Sequence, residues 1–250
     1  MAAHLAAESG WRLLEVRERL HGQPEREIGD EGDRVSQAFL ATALAEARPA
    51  DAVLSEEAAD NGARLACDRV WVIDPLDGTR EYGEGRTDWA VHVALWSGGR
   101  LAAGAVALPG AGQVFSTARP LYPAAAGGGG RLRLVVSRSR PPELVVRLAP
   151  VVGADLVPLG SAGAKAMAVV TGDADAYVHG GGMWEWDSAA PVAVALAAGL
   201  HASRLDGSPL VYNQPSPWLP DLVICRPELA PALLGAIAAL PAGNLAPPPP

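Results

Sequence analysis

The sequence predicts an α/β protein folded as one layered globular unit, and three observations carry that reading. With 250 residues, 49% of them hydrophobic, the chain is long and apolar enough to bury a sizeable core. Helical periodicity over residues 5–20 and 35–47 gives way to short β-type runs at 52–54, 69–73, 89–96 and 104–108. Beyond residue 130, β-type runs at 132–136, 156–159, 175–178 and 222–225 alternate with helical segments at 143–148, 162–170, 188–198 and 228–240, which is the pattern of strands covered by helices.

The first helix is amphipathic, because Glu8, Arg12, Glu15, Arg17 and Glu18 interrupt its apolar residues, and those charges exclude a secretory signal. Helices then precede a sheet. Residues 120–130, with two prolines and four consecutive glycines, cannot hold a regular element. They divide an N-terminal lobe, 1–125, from a C-terminal lobe, 131–250, in a single unit whose site is expected between the lobes. The proline-rich tail 246–250 is expected to fray.

Composition excludes several functions. A net charge of -8, from 28 Asp plus Glu against 20 Lys plus Arg, offers no attraction for a nucleic acid polymer or an anionic membrane. The longest apolar stretches, 189–200 and 229–240, are short of a membrane span and contain Pro191 and Pro231. Cys67 and Cys225 lie far apart without metal-ligand spacing, so they read as free thiols, and the expected location is the cytoplasm.

The chemistry concentrates in VWVIDPLDGTREY, residues 70–82. Asp74 and Asp77 leave the end of a buried strand together, and a Pro75 turn can aim both side chains and the Leu76 carbonyl at one point, as a hard divalent cation such as Mg²⁺ requires. Gly78 and Thr79 then open a helix whose free N–H groups suit a phosphate oxygen. An Asp that is merely a turn former or helix cap accounts for one of these carboxylates and not for the set. Glu56, in Ser55-Glu56-Glu57, follows a short strand and can face the same sheet edge, although paired glutamates also suit a solvated face. Asp187, in WEWDSAAP, reads equally as a ligand and as a helix N-cap. His92 reads as a core strand histidine, His179 beside three glycines as a site-lining candidate, and Trp184 or Trp186 as a shield against water.

Taken in order, the EE, DPxDGT and WDxAA segments resemble the inositol monophosphatase superfamily of Mg²⁺-dependent phosphatases, and Gly160 to Lys165 and Gly172 to Tyr177 fit the same pattern. That resemblance implies a layered αβαβα sandwich, two or three Mg²⁺ ions held by Glu56, Asp74, the Leu76 backbone oxygen, Asp77 and Asp187, sensitivity to Li⁺, and a homodimer. It implies that Thr79 and an upstream Asp activate the attacking water. Residues 28–33 depart from the family's segment, so Asp33 is the expected partner and Asp30 its rival. Arg80-Glu81 and Ser137 to Arg140 resemble the 3′(2′),5′-bisphosphate nucleotidase branch, which acts on the small phosphorylated metabolite 3′-phosphoadenosine 5′-phosphate and in part on its 5′-phosphosulfate. Gly78, Thr79, Arg138, Arg140, Ser161 and Lys165 are then the expected substrate contacts. Inositol 1-phosphate and fructose 1,6-bisphosphate are the alternative substrates, and a metal-binding inactive homologue is the alternative outside enzymology. The haloacid-dehalogenase geometry fails, since two residues separate Asp74 from Asp77 where Asp-x-Asp-Gly-Thr has one.

Overall fold

A computed structural model of the chain describes residues 1–122 and 130–240, which build five layers. Helices α1 (Ala2–Arg19) and α2 (Glu25–Ala47) form the first. Next comes a sheet in the order β1 (Ala52–Ser55), β2 (Arg69–Asp77), β3 (Ala90–Ser97), β4 (Arg100–Leu108), β5 (Gln113–Ser116), with the short α3 (Thr79–Gly83) between β2 and β3. The second sheet uses β6 (Leu132–Ser137), β7 (Ala154–Leu159), β8 (Ala176–His179), β10 (His201–Ser203) and β12 (Leu222–Cys225), in the order β10-β12-β8-β6-β7. A ribbon of β9 (Met183–Trp184) and β11 (Trp218–Leu219) stands apart. Helices α5 (Ala162–Thr171) and α6 (Glu185–Ala197) lie between the sheets, and α4 (Glu143–Val152) and α7 (Ala230–Ala239) cover the far face.

Three apolar clusters glue these layers. In β2 the side chains alternate: Trp71 and Ile73 meet Leu13, Leu40 and Leu44, whereas Val70 and Val72 join Met167, Val169 and Val194 of the middle layer. Both faces of the strand are therefore dry, and its continuous apolar run follows from that. The third cluster packs Leu134, Val178 and Val223 against Val145, Leu148 and Leu233. Small residues let the middle layer approach closely: a Cβ on Gly104 of β4 would stand 2.6 Å from the Ala193 Cβ of α6.

Three expectations need correction. The second helix begins at Glu25, not near residue 35, because Pro24 precedes it, Glu25 and Glu27 favour its first turn, and Gly29 and Gly32 are buried contacts. A Cβ at either glycine would run within 2.8 Å of Thr79 or Tyr82 carbons, so these apparent breakers are close-packing positions inside the helix. Strand β2 does not stop at Ile73 but continues through Pro75 to Asp77, with a bulge in its pairing to β3 between Asp74 and Asp77. The helix expected from Ser188 starts at Glu185. Most of the segment 120–130 expected to divide the lobes, residues 123–129, and the whole tail 246–250 lie outside the described residues.

Candidate active site

Strand ends gather the carboxylates. Parallel pairing of β1 with β2 sets Ser55 opposite Ile73, so Glu56 and Asp74 leave the same sheet edge side by side. The bulge then re-aims Asp77. Its Pro75 carbonyl accepts from Ser36 Oγ at 2.6 Å, and Ser36 in turn meets Ser9 Oγ at 2.6 Å, which ties the bulge to α1 and α2. Asp74 is 1% exposed, and its Oδ2 is buried with no hydrogen-bond partner among the described residues.

Asp77 lies across the start of α5. Its oxygens accept from Ala162 N at 3.1 Å and Gly163 N at 2.6 Å, and His92 Nε2 stands 3.1 Å away. A Cβ on Gly163 would strike that imidazole, so only glycine allows the approach. Burial alone raises the Asp77 pKa, but His92, Lys165 and the Gly163 N–H hold it below the ordinary range. His92 is fully buried; burial opposes its charge, yet Asp77 raises its pKa, and Nδ1 lies 3.0 Å from the Trp186 carbonyl. Asp187 is not the N-cap of α6: Trp184 occupies that position, and Asp187 Oδ2 accepts its N–H at 2.6 Å from the third helical position.

The remaining carboxyls are held protonated-leaning by one another. Burial, then the Asp187 charge, lifts Glu56 to about 7, although the residue as a whole is exposed at the surface. Burial, then Asp77, lifts Asp187 to about 6. Asp74 is raised well above the carboxylate range by burial, then Glu56 and Asp77. Four acids pressed together, with an orphaned oxygen among them, carry more negative charge than His92 and Lys165 answer, and a divalent cation fits that need. Asp74, Asp77 and His92 bring ligand atoms within 4.8 Å of one another.

Thr79 donates either to Leu76 O at 3.2 Å or to Asp33 Oδ1 at 3.5 Å. Asp33, inside α2, is raised to about 8 by burial, then Glu57 and Glu56. Asp30 instead faces Arg26 at 3.6 Å on the exposed side of the helix, and shares a cavity of about 210 Å³ with Thr79 without bonding it.

A cavity of about 550 Å³, within the usual range for small ligands, is lined by Asp77, Gly78, Ser161, Lys165, Asp187 and Arg140. Ser161 caps α5 by accepting from Ala164 N at 2.9 Å. Lys165 is buried, which lowers its pKa, and its ammonium donates to the carbonyls of Gly160 and Ser161. Arg138 is not in the cavity wall: it pairs with Glu81 at 3.0 Å and Glu84 at 2.7 Å, joining the end of β6 to α3. His179 does line the cavity, with Nε2 2.9 Å from Gly182 O.

Sequence reasoning missed three supports. His92 was masked by its strand context; Asp88 accepts from Gly160 N at 2.7 Å and positions the turn before α5; Glu185 accepts from Asn213 N at 2.7 Å and Gln214 N at 2.9 Å, anchoring α6. The first and third lie next to the DPxDGT and WD segments in space or in sequence, but side-chain to backbone partners leave no spacing signature.

Strand-end carboxylates gathered over a helix start between two sheets of a layered α/β protein are consistent with a divalent metal site. The model of the "Inositol monophosphatase family" matches residues 2–240, and the chain belongs to that family. It is 53% identical over 249 residues to the 3′-phosphoadenosine 5′-phosphate phosphatase of Mycobacterium leprae, covering 95% of this chain and 92% of that one. It is 32% identical over 216 residues to an inositol-1-monophosphatase of Mycobacterium bovis, covering 76% and 74%. Inositol monophosphatase II of Staphylococcus aureus shares the fold, with a TM-score of 0.79 at 21% identity over 93% of this chain and 90% of that one.

Proposed function

We propose that this protein is a Mg²⁺-dependent phosphatase that removes the 3′-phosphate of 3′-phosphoadenosine 5′-phosphate, leaving AMP and phosphate. The 53–54% identity to mycobacterial phosphatases named for that substrate supports the reading, against 32% for the inositol phosphatase. The observation that carries the chemistry is the mutually charged cluster of Glu56, Asp74, Asp77 and Asp187, two of which, Asp77 and Asp187, line the cavity, while Asp74 Oδ2 has no partner among the described residues. These carboxylates and the Leu76 carbonyl would hold two or three ions, and an oxygen donor set suits Mg²⁺. Bound cations supply charge neutralisation at the phosphoryl group and a lowered pKa for water.

The chain's own residues do the rest. Thr79 orients the attacking water, and Asp33 takes the proton through the Thr79 hydroxyl, which already has Asp33 as one of its two acceptors. Asp77, kept anionic by His92, then Lys165 and the Gly163 N–H, would stay available as a ligand. Lys165, Arg140, Gly78 and Ser161 line the cavity for the substrate's phosphates and ribose. Arg138, expected to bind substrate, instead orders Glu81 beside that cavity. The unit works as two lobes, 1–125 and 131–250, with the site between them, as a cytoplasmic homodimer acting on a small metabolite.

Phosphate release with Mg²⁺ over 3′-phosphoadenosine 5′-phosphate, its 5′-phosphosulfate, inositol 1-phosphate and fructose 1,6-bisphosphate tests the reading. The adenosine bisphosphate should give the highest kcat/KM. A higher value for inositol 1-phosphate or fructose 1,6-bisphosphate rejects it.

A further inference from the structure

Two of the chain's seven tryptophans, Trp184 and Trp218, line the cavity, and a third, Trp186, packs beside them. The antiparallel ribbon pairs Trp184 with Trp218 directly, and their rings meet edge to face with centroids 5.2 Å apart. Trp184 also stacks on Trp186, centroids 5.1 Å apart and planes 15° from parallel. The ribbon is firmly held, by Gly182 N to Pro220 O at 3.0 Å and Glu185 N to Pro217 O at 2.8 Å. Gly182 has φ 76°, and a Cβ there would collide with the Trp218 ring, so the sequence keeps space for that indole.

Trp184 and Trp218 line the same cavity as Asp77, Lys165 and Asp187, yet the acid chemistry has no use for them. The Nε1 donors of Trp186 and Trp218 are both buried with no acceptor among the described residues, and of these two rings Trp218 is the one that lines the cavity. Buried donors are nearly always answered, so an unanswered one beside a ligand cavity calls for an acceptor on the ligand.

We propose that Trp184 and Trp218 are the specificity-determining wall for a heteroaromatic base on the substrate, with Trp218 Nε1 donating to a ring nitrogen of that base. The inference rests on the nucleotide reading above. Two indoles offer a rigid apolar surface with π faces at small cost in side-chain freedom. A purine presents both a π face and ring-nitrogen acceptors. A polyhydroxylated ring presents neither, and its hydroxyls would lose water against the indoles without recovering equivalent bonds. The wall thus selects by favouring a base and by penalising a polyol.

The test uses Trp218→Leu and Trp184→Leu, with Trp218→Phe keeping the ring and removing the N–H. For each, kcat/KM is measured on 3′-phosphoadenosine 5′-phosphate and on inositol 1-phosphate. Both leucine variants should lose about tenfold or more on the nucleotide relative to their loss on the inositol phosphate, mainly in KM, with Trp218→Phe in between. Should a leucine unfold the ribbon, Trp218→Phe carries the kinetic comparison. AMP titrated into the Mg²⁺-loaded wild type should quench tryptophan fluorescence, and the AMP affinity should fall in each variant. An unchanged substrate ratio together with unchanged AMP affinity overturns the wall. A wild type that binds AMP but hydrolyses no nucleotide overturns the function reading and leaves the AMP titration to decide the wall.

Discussion

Asp33 shows how much a single carboxylate depends on its neighbours. It sits inside α2 within 3.5 Å of the Thr79 hydroxyl, and burial with Glu57 and Glu56 nearby raises it to about 8. Asp33→Asn keeps the shape and removes the proton acceptor, so kcat should fall about a hundredfold or more while Mg²⁺ affinity measured by calorimetry changes little. Asp30→Asn, on the exposed face with Arg26, should stay near the wild type. A dead Asp30→Asn with an active Asp33→Asn would reverse the assignment. The same crowding fixes a pH dependence. Asp33, Glu56 and Asp187 have folded pKa values raised to about 8, 7 and 6, so between about pH 4 and pH 8 the metal-free folded state binds more protons than the unfolded chain. Stability of the metal-free protein should therefore fall as pH rises through that window, and thermal unfolding in chelator should show a lower Tm at about pH 8 than at about pH 5.5. Mg²⁺ should remove most of that fall, because it supplies the missing charge to the ionised form. Most of the proposed site could be picked out because its candidate ligands belong to short contiguous segments with restrictive spacing. His92 was not, since an alternating strand looks the same whether its one polar residue faces lipid-like packing or a carboxylate.

At the scale of elements, the start of α5 decides where Asp77 points. Gly163 gives up its N–H to Asp77 Oδ2 and leaves room for His92 and the Ala90 Cβ. Gly163→Ala removes that room in a region with no slack, and overpacking of this kind costs about 1–3 kcal/mol. The urea midpoint should fall accordingly, and activity should fall further than stability alone explains, since Asp77 loses its rotamer. Normal activity in a destabilised Gly163→Ala protein would separate the helix start from the site. Element boundaries were the least legible part of the sequence. Gly29 and Gly32 look like helix breakers, and only the tertiary contact with Thr79 and Tyr82 turns them into packing positions. Pro75 looks like a strand end, yet the sheet absorbs it in a bulge whose carbonyl is answered by Ser36. The ribbon of β9 and β11 left no periodicity to read, because two residues are too short a run.

For the whole molecule, helices first, a sheet, and then alternation gave the layer types, and the remaining question was which helices lie between the sheets. Hydropathy answers only in part. The middle helices α5 and α6 are Ala-rich and buried nearly all round, whereas α4 and α7 expose one side, a difference visible once the sheets flank them. That arrangement makes the proposed metal ligands a joint product of the layers. Glu56, Asp74 and Asp77 come from the first sheet, Asp187 from a middle helix reached some 110 residues later by sequence, roughly the length scale of a domain. Removing cations should then loosen the contact between sheet and helix as well as stop turnover. EDTA should abolish phosphate release and lower the Tm, and Mg²⁺ should restore both. Ca²⁺, larger and less strict in geometry, should bind and raise the Tm without supporting turnover. Li⁺ at millimolar levels should inhibit in competition with Mg²⁺, because an all-oxygen site accepts a small hard monovalent ion that brings too little charge to stabilise a transferring phosphoryl group. Full turnover in excess chelator would refute the metal reading, and Tm values unmoved by chelator, Mg²⁺ and Ca²⁺ alike would separate these carboxylates from any ion. Inhibition by Li⁺ that added Mg²⁺ fails to relieve would place the monovalent ion elsewhere in the molecule.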